Sequence, residues 1–201
     1  MTRLLALSAP LVFLPAVLAA PAPDDKKEPV LYFPTKVGTK WVYESPASKS
    51  FLRITTVETK EGAKLVTVAS ESELAGQTFK TVETFRVSGE GLFKLGFDEK
   101  VFDPPQCLLK LPHVPGAKWE WLLKGDDKFR VDYKAGKLED VKVPAGEFKA
   151  VPVEDVLTGN AVRMERTVWY APNVGVVKKT WLVNGGGQQT EVLKSFTPGK
   201  D

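Results

Sequence analysis

The chain has 201 residues, and its 28 basic and 25 acidic residues give a formal net charge of only +3. Lys and Glu are mixed along the chain, so charge gives no reason to expect nucleic acid or an anionic lipid surface as partner. Cys107 is the single cysteine, which excludes an internal disulfide. Its apolar neighbours Leu108 and Leu109 favour a buried, inert thiol.

Residues 1–19 are typical of a signal peptide, with Arg3 as the positive start, an apolar stretch to Leu18, and a small-residue cleavage pattern ending at Ala19. The apolar stretch is too short for a spanning helix, and no later segment has membrane length. The cleavage site has no cysteine to carry a lipid, so we do not expect a lipid anchor. Residues 20–30 have little to bury and are predicted to be a disordered leader. We therefore expect an exported protein, periplasmic or extracellular, without a membrane span.

From Lys40 onward, apolar and polar residues alternate, and turn residues recur every eight to twelve positions. No stretch has a clear helical period, so the pattern predicts an all-β protein. The predicted strands are 39–44, 51–59, 64–72, 78–87, 91–97, 118–123, 129–135, 138–143, 148–157, 162–170, 175–183 and 188–196. Segment 98–115, rich in proline, is predicted to be an irregular bridge between two halves.

Short connections between successive strands favour an antiparallel meander. The amphipathic strands must cover one face, which a sheet achieves by curling on itself or by folding into two layers. We expect a strongly curved or barrel-like sheet, and a β-sandwich is the alternative.

A distinctive string occurs twice. Pro34-x3-Gly38-x-Lys40-Trp41-x-Tyr43-x7-Phe51 is matched 78 positions later by Pro112-x3-Gly116-x-Lys118-Trp119-x-Trp121-x7-Phe129. Tryptophan is rare, and its spacing to proline, glycine and lysine is kept, which indicates an internal duplication. We expect one β domain over 31–197, made of two repeats at about 32–103 and 110–197, with Trp41 and Trp119 packed in its core.

Three strings carry a resemblance to a known group: Tyr32-Phe33-Pro34 leading to Gly38-x2-Trp41, Val143-Pro144-Ala145-Gly146-x-Phe148, and Trp169-Tyr170-Ala171-Pro172-x2-Gly175-x-Val177-Lys178. In this order they resemble a group of uncharacterised exported bacterial proteins of the planctomycete type. The resemblance implies an exported all-β fold with no established activity. It transfers no catalytic residue.

The chemistry of common active sites is missing from the sequence. His113 is the only histidine, and its place between prolines favours an ordinary loop residue over a catalytic pair with Cys107. These two ligands are too few for zinc. Asp98, Glu99 and Asp103 lack the spacing of a calcium loop, and no phosphate-binding glycine motif is present. We assign no catalytic residue, metal or cofactor, and expect no enzyme.

The remaining candidates are aromatic. Exposed tryptophans on a β surface can hold a sugar or an apolar ligand. The duplication constrains Trp121 and Trp181 less than Trp41 and Trp119, and these two could line a cleft between the halves, so they are the predicted ligand-binding residues. We hypothesise a non-enzymatic exported β-domain that binds a hydrophobic small molecule. The alternative is a protein–protein interaction or scaffold module of the cell envelope, and a carboxylate-based hydrolase has the least support.

Overall fold

The computed structural model describes residues 30–125 and 129–200. The predicted signal peptide and all of the leader except Val30 lie outside the described residues. The described part forms thirteen strands and no helix, so it contains no helix that could cross a membrane. The strands are β1 (Lys40–Glu44), β2 (Ser48–Lys60), β3 (Ala63–Leu74), β4 (Gln77–Ser88), β5 (Gly91–Phe97), β6 (Lys100–Lys110), β7 (Lys118–Leu122), β8 (Arg130–Ala135), β9 (Glu139–Val143), β10 (Gly146–Gly159), β11 (Val162–Ala171), β12 (Gly175–Val183) and β13 (Gln189–Thr197).

Twelve of these strands form one antiparallel sheet in the order β6-β5-β4-β3-β2-β1-β13-β12-β11-β10-β8-β7. The sheet consists of two meanders that meet where β1 pairs with β13, with Trp41 opposite Phe196. Its terminal strands, β6 and β7, lie against each other, so the sheet curls into a nearly closed barrel. The predicted all-β, barrel-like fold is confirmed.

The contact between β6 and β7, here called the seam, is made largely by side chains. The indole Nε1 of Trp119 donates to the carbonyl of Cys107 at 2.8 Å, and that of Trp121 donates to the carbonyl of Pro104 at 2.8 Å. Proline has no backbone N–H to offer a neighbouring strand, so a ladder through Pro104 and Pro105 would lack donors. The indoles satisfy carbonyls that a ladder would otherwise pair.

Two sequence predictions need correction. Segment 98–115 is not an irregular bridge, because it contains the strand β6. Its prolines concealed a strand that lies at the sheet's end, where proline is tolerated. The predicted strand 138–143 exists as β9 but leaves the main sheet: it pairs only with the first part of β10, while β8 pairs directly with β10. The β9 hairpin contacts β12 and β13, and Glu139 accepts a hydrogen bond from the indole of Trp169.

The two Pro-x3-Gly turns have the same backbone pattern. Gly38 N–H donates to Ile54 and Ile54 N–H to Thr39, both at 2.9 Å; likewise Gly116 donates to Ala135 at 2.7 Å and Ala135 to Ala117 at 2.9 Å. Both glycines have positive φ, 82° and 84°. These matching bonds support the duplication, which stays a prediction.

The β7–β8 hairpin, the first of the second half, is longer than the β1–β2 hairpin, although the matched strings imply equal lengths. Trp41 lies opposite Leu52 in the β1–β2 pair, whereas Trp119 lies opposite Tyr133 in the β7–β8 pair. Phe129 precedes β8, so it does not occupy the position of Phe51 in β2. The Phe match in the repeated strings is therefore not a structural equivalence.

Candidate ligand-binding cavity

The inward face of the barrel changes character in the same direction along its strands. On β3 the inward residues run from Val66 and Val68 to Ser70 and Ser72. Five other strands change from apolar to polar inward residues in the same direction. They are β4 (Val87 and Phe85 to Glu83 and Thr81), β5 (Leu92 to Lys94), β10 (Val153 to Asp155), β11 (Tyr170 and Val168 to Arg166) and β13 (Leu193 to Glu191). One end of the barrel is therefore an apolar core and the other is polar.

A cavity of 340 Å³ lies where the two regions meet. Its apolar lining includes Phe33, Trp41, Val68, Phe85 and Leu92. Toward the polar end its lining includes serines, a threonine and charged side chains. These are Ser50, Ser70, Ser72, Thr81, Glu83, Lys94, Arg166, Lys179 and Glu191.

The apolar floor is held by contacts across the molecule. Phe33 lies 5.6 Å from the ring of Trp41 and 5.1 Å from the ring of Phe85, measured between ring centres. A Cβ at Gly175 would lie 3.2 Å from the Phe33 ring, and this glycine has a φ of 88°, so both space and backbone favour glycine here. Trp41 Nε1 donates to the carbonyl of Val174 at 2.7 Å. The segment before β1 thus closes one end of the barrel.

Above this floor, six charged residues on the inward face form what we call the charged belt: Glu83, Lys94, Asp155, Arg166, Lys179 and Glu191. They make three ion pairs. Arg166 Nε contacts the two Asp155 oxygens at 2.9 and 3.0 Å, Lys179 Nζ contacts Glu191 at 2.7 Å, and Lys94 pairs with Glu83. Buried ion pairs add little net stability, but losing one partner is costly because a charge is left without compensation.

Neutral hydroxyls complete the polar wall. The side chains of Ser50 and Ser72 are 2.9 Å apart, and those of Ser70 and Thr81 are 2.6 Å apart. These four hydroxyl residues bond one another across β2, β3 and β4, and this part of the cavity lining is polar but uncharged. It can offer donors or acceptors to a molecule in the cavity.

Three buried tyrosines lie near the charged belt. Burial raises the pKa of Tyr43, Tyr133 and Tyr170 above the usual value, and nearby Glu191 or Asp155 adds to the effect. Tyr133 accepts a hydrogen bond from Gln106 Nε2 at 2.8 Å. All three phenols therefore stay neutral at physiological pH.

Asp155 and Arg166 each shift the pKa of the other. Burial raises the pKa of Asp155, and Arg166 opposes this rise. Burial lowers the pKa of Arg166, but Asp155 and the tyrosines outweigh it and leave the pKa above the usual value. Arg166 therefore remains charged.

The structure places the two predicted ligand-binding tryptophans apart. Trp121 lies in the seam and is 5% exposed, with its ring 5.1 Å from that of Phe102. Trp181 lies opposite Arg166 in the β11–β12 pair, and Lys179 Nζ is 5.6 Å from its ring centre. A role in ligand binding stays a prediction for both. Trp121 offers little surface to a ligand, whereas Trp181 lies next to the charged belt.

Cys107 and His113 have separate surroundings. His113 Nε2 donates to the carbonyl of Gly136 at 2.8 Å. Within residues 30–125 and 129–200, no group of three or more His, Cys, Asp or Glu could hold a metal ion.

Burial raises the pKa of the Cys107 thiol to about 11. We predict that alkylation of the folded protein at pH 8 is at least about 100-fold slower than alkylation of the urea-unfolded chain, because only the thiolate reacts. A colorimetric thiol reagent measures both rates. Comparable rates would show that this thiol is exposed and active.

Sequence reasoning missed the charged belt. Arg166 lies in the register of the apolar residues Met164 and Val168, and Asp155 lies in the register of Val153 and Leu157. A charge in the apolar register is the signal that could have found the pair. Alone, such a charge is equally typical of a strand end exposed to solvent.

No protein-family model matches the chain, and no curated protein does. Two solved structures are similar in fold. A candidate lipoprotein from Parabacteroides distasonis ATCC 8503 has a TM-score of 0.51 and 16% identity, covering 85% of this chain and 100% of its own. A candidate exported protein with a YmcC-like fold from Bacteroides fragilis NCTC 9343 has a TM-score of 0.51 and 15% identity, covering 84% and 99%. At these identities the likeness shows the fold alone, a barrel-like all-β fold similar to the YmcC-like one.

Proposed function

We propose that this protein is an exported, non-enzymatic β-domain that binds a small amphipathic molecule in the cavity of its barrel. The sequence led us to expect a hydrophobic ligand. The charged belt changes this expectation, because a purely apolar guest would take water away from Arg166 and Lys179 without offering either of them a hydrogen bond. A guest with one apolar part and one polar part suits both ends of the cavity.

The observation that carries the proposal is the position of the 340 Å³ cavity between the apolar floor and the charged belt. Ligand sites are concave, mostly apolar and furnished with a few placed polar groups, with volumes of about 300 to 1,000 Å³. This cavity has the size of such a site, and about half of the residues that line it are polar, which suits an amphipathic guest better than a purely apolar one.

Export rests on two independent supports. Residues 1–19 have the pattern of a signal peptide. The two proteins with a similar fold are described as a candidate lipoprotein and a candidate exported protein. Kinship with the planctomycete-type exported group remains a prediction from the three sequence strings.

A second candidate function is an interaction module of the cell envelope. Large apolar side chains are exposed near the ends of the long hairpins, and they include Leu74, Phe79, Val162 and Val183. Phe79 lies opposite the cavity residue Ser72, and Val183 lies opposite Met164. Exposed apolar groups around an opening can contact another protein as well as a ligand.

The test fills the cavity from one strand. Leu52 on β2 lines the cavity, whereas its neighbour Arg53 is exposed on the opposite face. We expect Leu52→Trp to weaken the binding of 1-decanol at least about ten-fold, since the added ring occupies the ligand's space. The matched variant Arg53→Trp should bind as the wild type does. Isothermal titration calorimetry measures both, and thermal unfolding confirms that each variant is folded.

Native mass spectrometry of protein purified from its host complements the titration. A co-purifying small molecule that is missing from Leu52→Trp and present in Arg53→Trp would support the proposal. A co-purifying protein without any small molecule would favour the interaction module. Equal binding of 1-decanol by both variants would contradict a ligand in this cavity.

A further inference from the structure

We propose that the cavity recognises an anionic head group, in the simplest case the carboxylate of an acyl chain, through the guanidinium of Arg166. This inference rests on the proposed function, because it names the polar part of the amphipathic ligand. It is carried by the free donors of Arg166 and by the order in which charges face the cavity.

Arg166 uses only part of its hydrogen-bonding capacity. A guanidinium has five N–H donors, and only Nε of Arg166 is engaged, with both oxygens of Asp155. Its two Nη groups have no partner among the described residues. They are not sealed off, because within the described part Arg86 Nε is the only buried side-chain nitrogen or oxygen without a partner. The free donors of Arg166 therefore remain accessible, and its side chain lines both this cavity and a second pocket beside Asp155 and Trp181.

The cations of two ion pairs stand in front of their carboxylates. The side chain of Arg166 is 30% exposed and that of Asp155 is 2% exposed. The side chain of Lys179 is 39% exposed and that of Glu191 is 8% exposed. Although each pair is neutral, the wall formed by β11 and β12 presents its positive ends to a guest.

The opposite wall has a different arrangement. Lys94 and Glu83 form a direct ion pair, with side chains 19% and 27% exposed. Lys94 Nζ also lies 5.3 Å from the ring centre of Phe97. In this ion pair the carboxylate of Glu83 is the more exposed partner and would repel an anion. A negative head group is therefore expected on the side of Arg166 and Lys179, whose carboxylate partners are the buried ones.

The geometry also orients the rest of the ligand. Along β11 the residues that follow Arg166 on the inward face are Val168 and Tyr170, and both line the cavity. If the anionic head group lies at Arg166, the acyl chain attached to it would lie over Val168 and extend toward the apolar floor of Phe33, Phe85 and Leu92. Two parallel N–H donors match the two oxygens of a carboxylate, which an ammonium cannot do.

The first experiment varies the head group on one tail. Decanoate, 1-decanol and decyltrimethylammonium are titrated into the wild-type protein below their micelle concentrations. We expect decanoate to bind about ten-fold or more tightly than 1-decanol, because a charged hydrogen bond adds to a shared apolar contact. Decyltrimethylammonium should bind most weakly.

The second experiment removes the guanidinium without leaving a buried charge. The double variant Asp155→Asn with Arg166→Gln should bind decanoate no more tightly than 1-decanol. Its control is Arg163→Gln with Glu165→Gln, a pair on the same strand that is bonded at 3.0 Å and is solvent-exposed. The control should keep the wild-type preference, and circular dichroism verifies folding of both.

The results separate the two claims. If 1-decanol binds but decanoate binds no better, or if the double variant keeps the preference, head-group recognition by Arg166 is wrong while the ligand cavity stands. If decyltrimethylammonium binds most tightly, recognition of an anion is likewise wrong. If none of the three binds, the proposed function fails, and this inference fails with it.

Discussion

Replacing Arg166 by methionine is expected to lower the free energy of unfolding by about 3 to 5 kcal/mol at pH 7, the cost typical of breaking a buried ion pair from one side. The loss comes from Asp155, which is 2% exposed and loses the partner that contacts both of its oxygens. Urea unfolding followed by tryptophan fluorescence measures the change. The double variant Asp155→Asn with Arg166→Met should recover much of the loss, since no charge then remains buried.

The same variant should have a characteristic pH dependence. Burial raises the pKa of Asp155, and in Arg166→Met no guanidinium opposes the rise. The folded carboxyl then binds a proton more readily than the unfolded one, whose pKa is about 3.9. At pH values between the pKa of Asp155 in the unfolded chain and its higher pKa in the folded variant, the folded state binds more protons than the unfolded state. The free energy of unfolding therefore rises as pH falls through this range. The deficit relative to wild type should therefore shrink between pH 7 and pH 5. A deficit that is independent of pH and of Asp155→Asn would contradict this account.

Much of the barrel follows from local pattern. The strands 91–97 and 175–183 were predicted with the bounds that the structure has, because glycines with positive φ begin both of them. The exception is β6, where Pro104 and Pro105 concealed a strand that completes the first meander. Local pattern cannot show that a strand will lie at the end of a sheet, where missing N–H donors cost little.

The position of β9 and the closure of the barrel were beyond local reasoning for a related cause. β8 bypasses β9 to pair with β10, and the β9 hairpin contacts β12 and β13 instead. Such contacts join residues far apart in sequence. The pairing of β1 with β13, which makes the two meanders one body, is of the same kind.

The cavity was predicted only in outline. A curved sheet with an apolar inner face suggested a hydrophobic guest, and the tryptophans suggested its contacts. The charged belt depends on three ion pairs whose members lie 11 or 12 positions apart, on neighbouring strands. Taken alone, each of these charged residues is what one expects at a solvent-exposed position of a strand. Only the closed sheet turns these positions inward together.

Replacing Trp41 by alanine is expected to destabilise the protein by about 3 to 5 kcal/mol, the range for truncating a large buried aromatic residue. Trp41 is 2% exposed, contacts Phe33 and Phe196, and donates to the carbonyl of Val174. It lies where β1 pairs with β13, so the loss affects the junction of the two meanders. Trp41→Phe should cost less, mainly the hydrogen bond, at about 1 to 2 kcal/mol.

Trp119 provides the comparison within the same molecule. It has the corresponding place in the second repeated string and also donates to a backbone carbonyl, but it is only half-buried and stacks on Tyr133 at 5.2 Å. Trp119→Ala should therefore destabilise the protein less than Trp41→Ala in the same urea titration. If both variants lose equal stability, the seam between β6 and β7 supports the barrel as strongly as the β1–β13 ladder does. In that case the closed sheet, rather than the two meanders, would be the cooperative unit of folding.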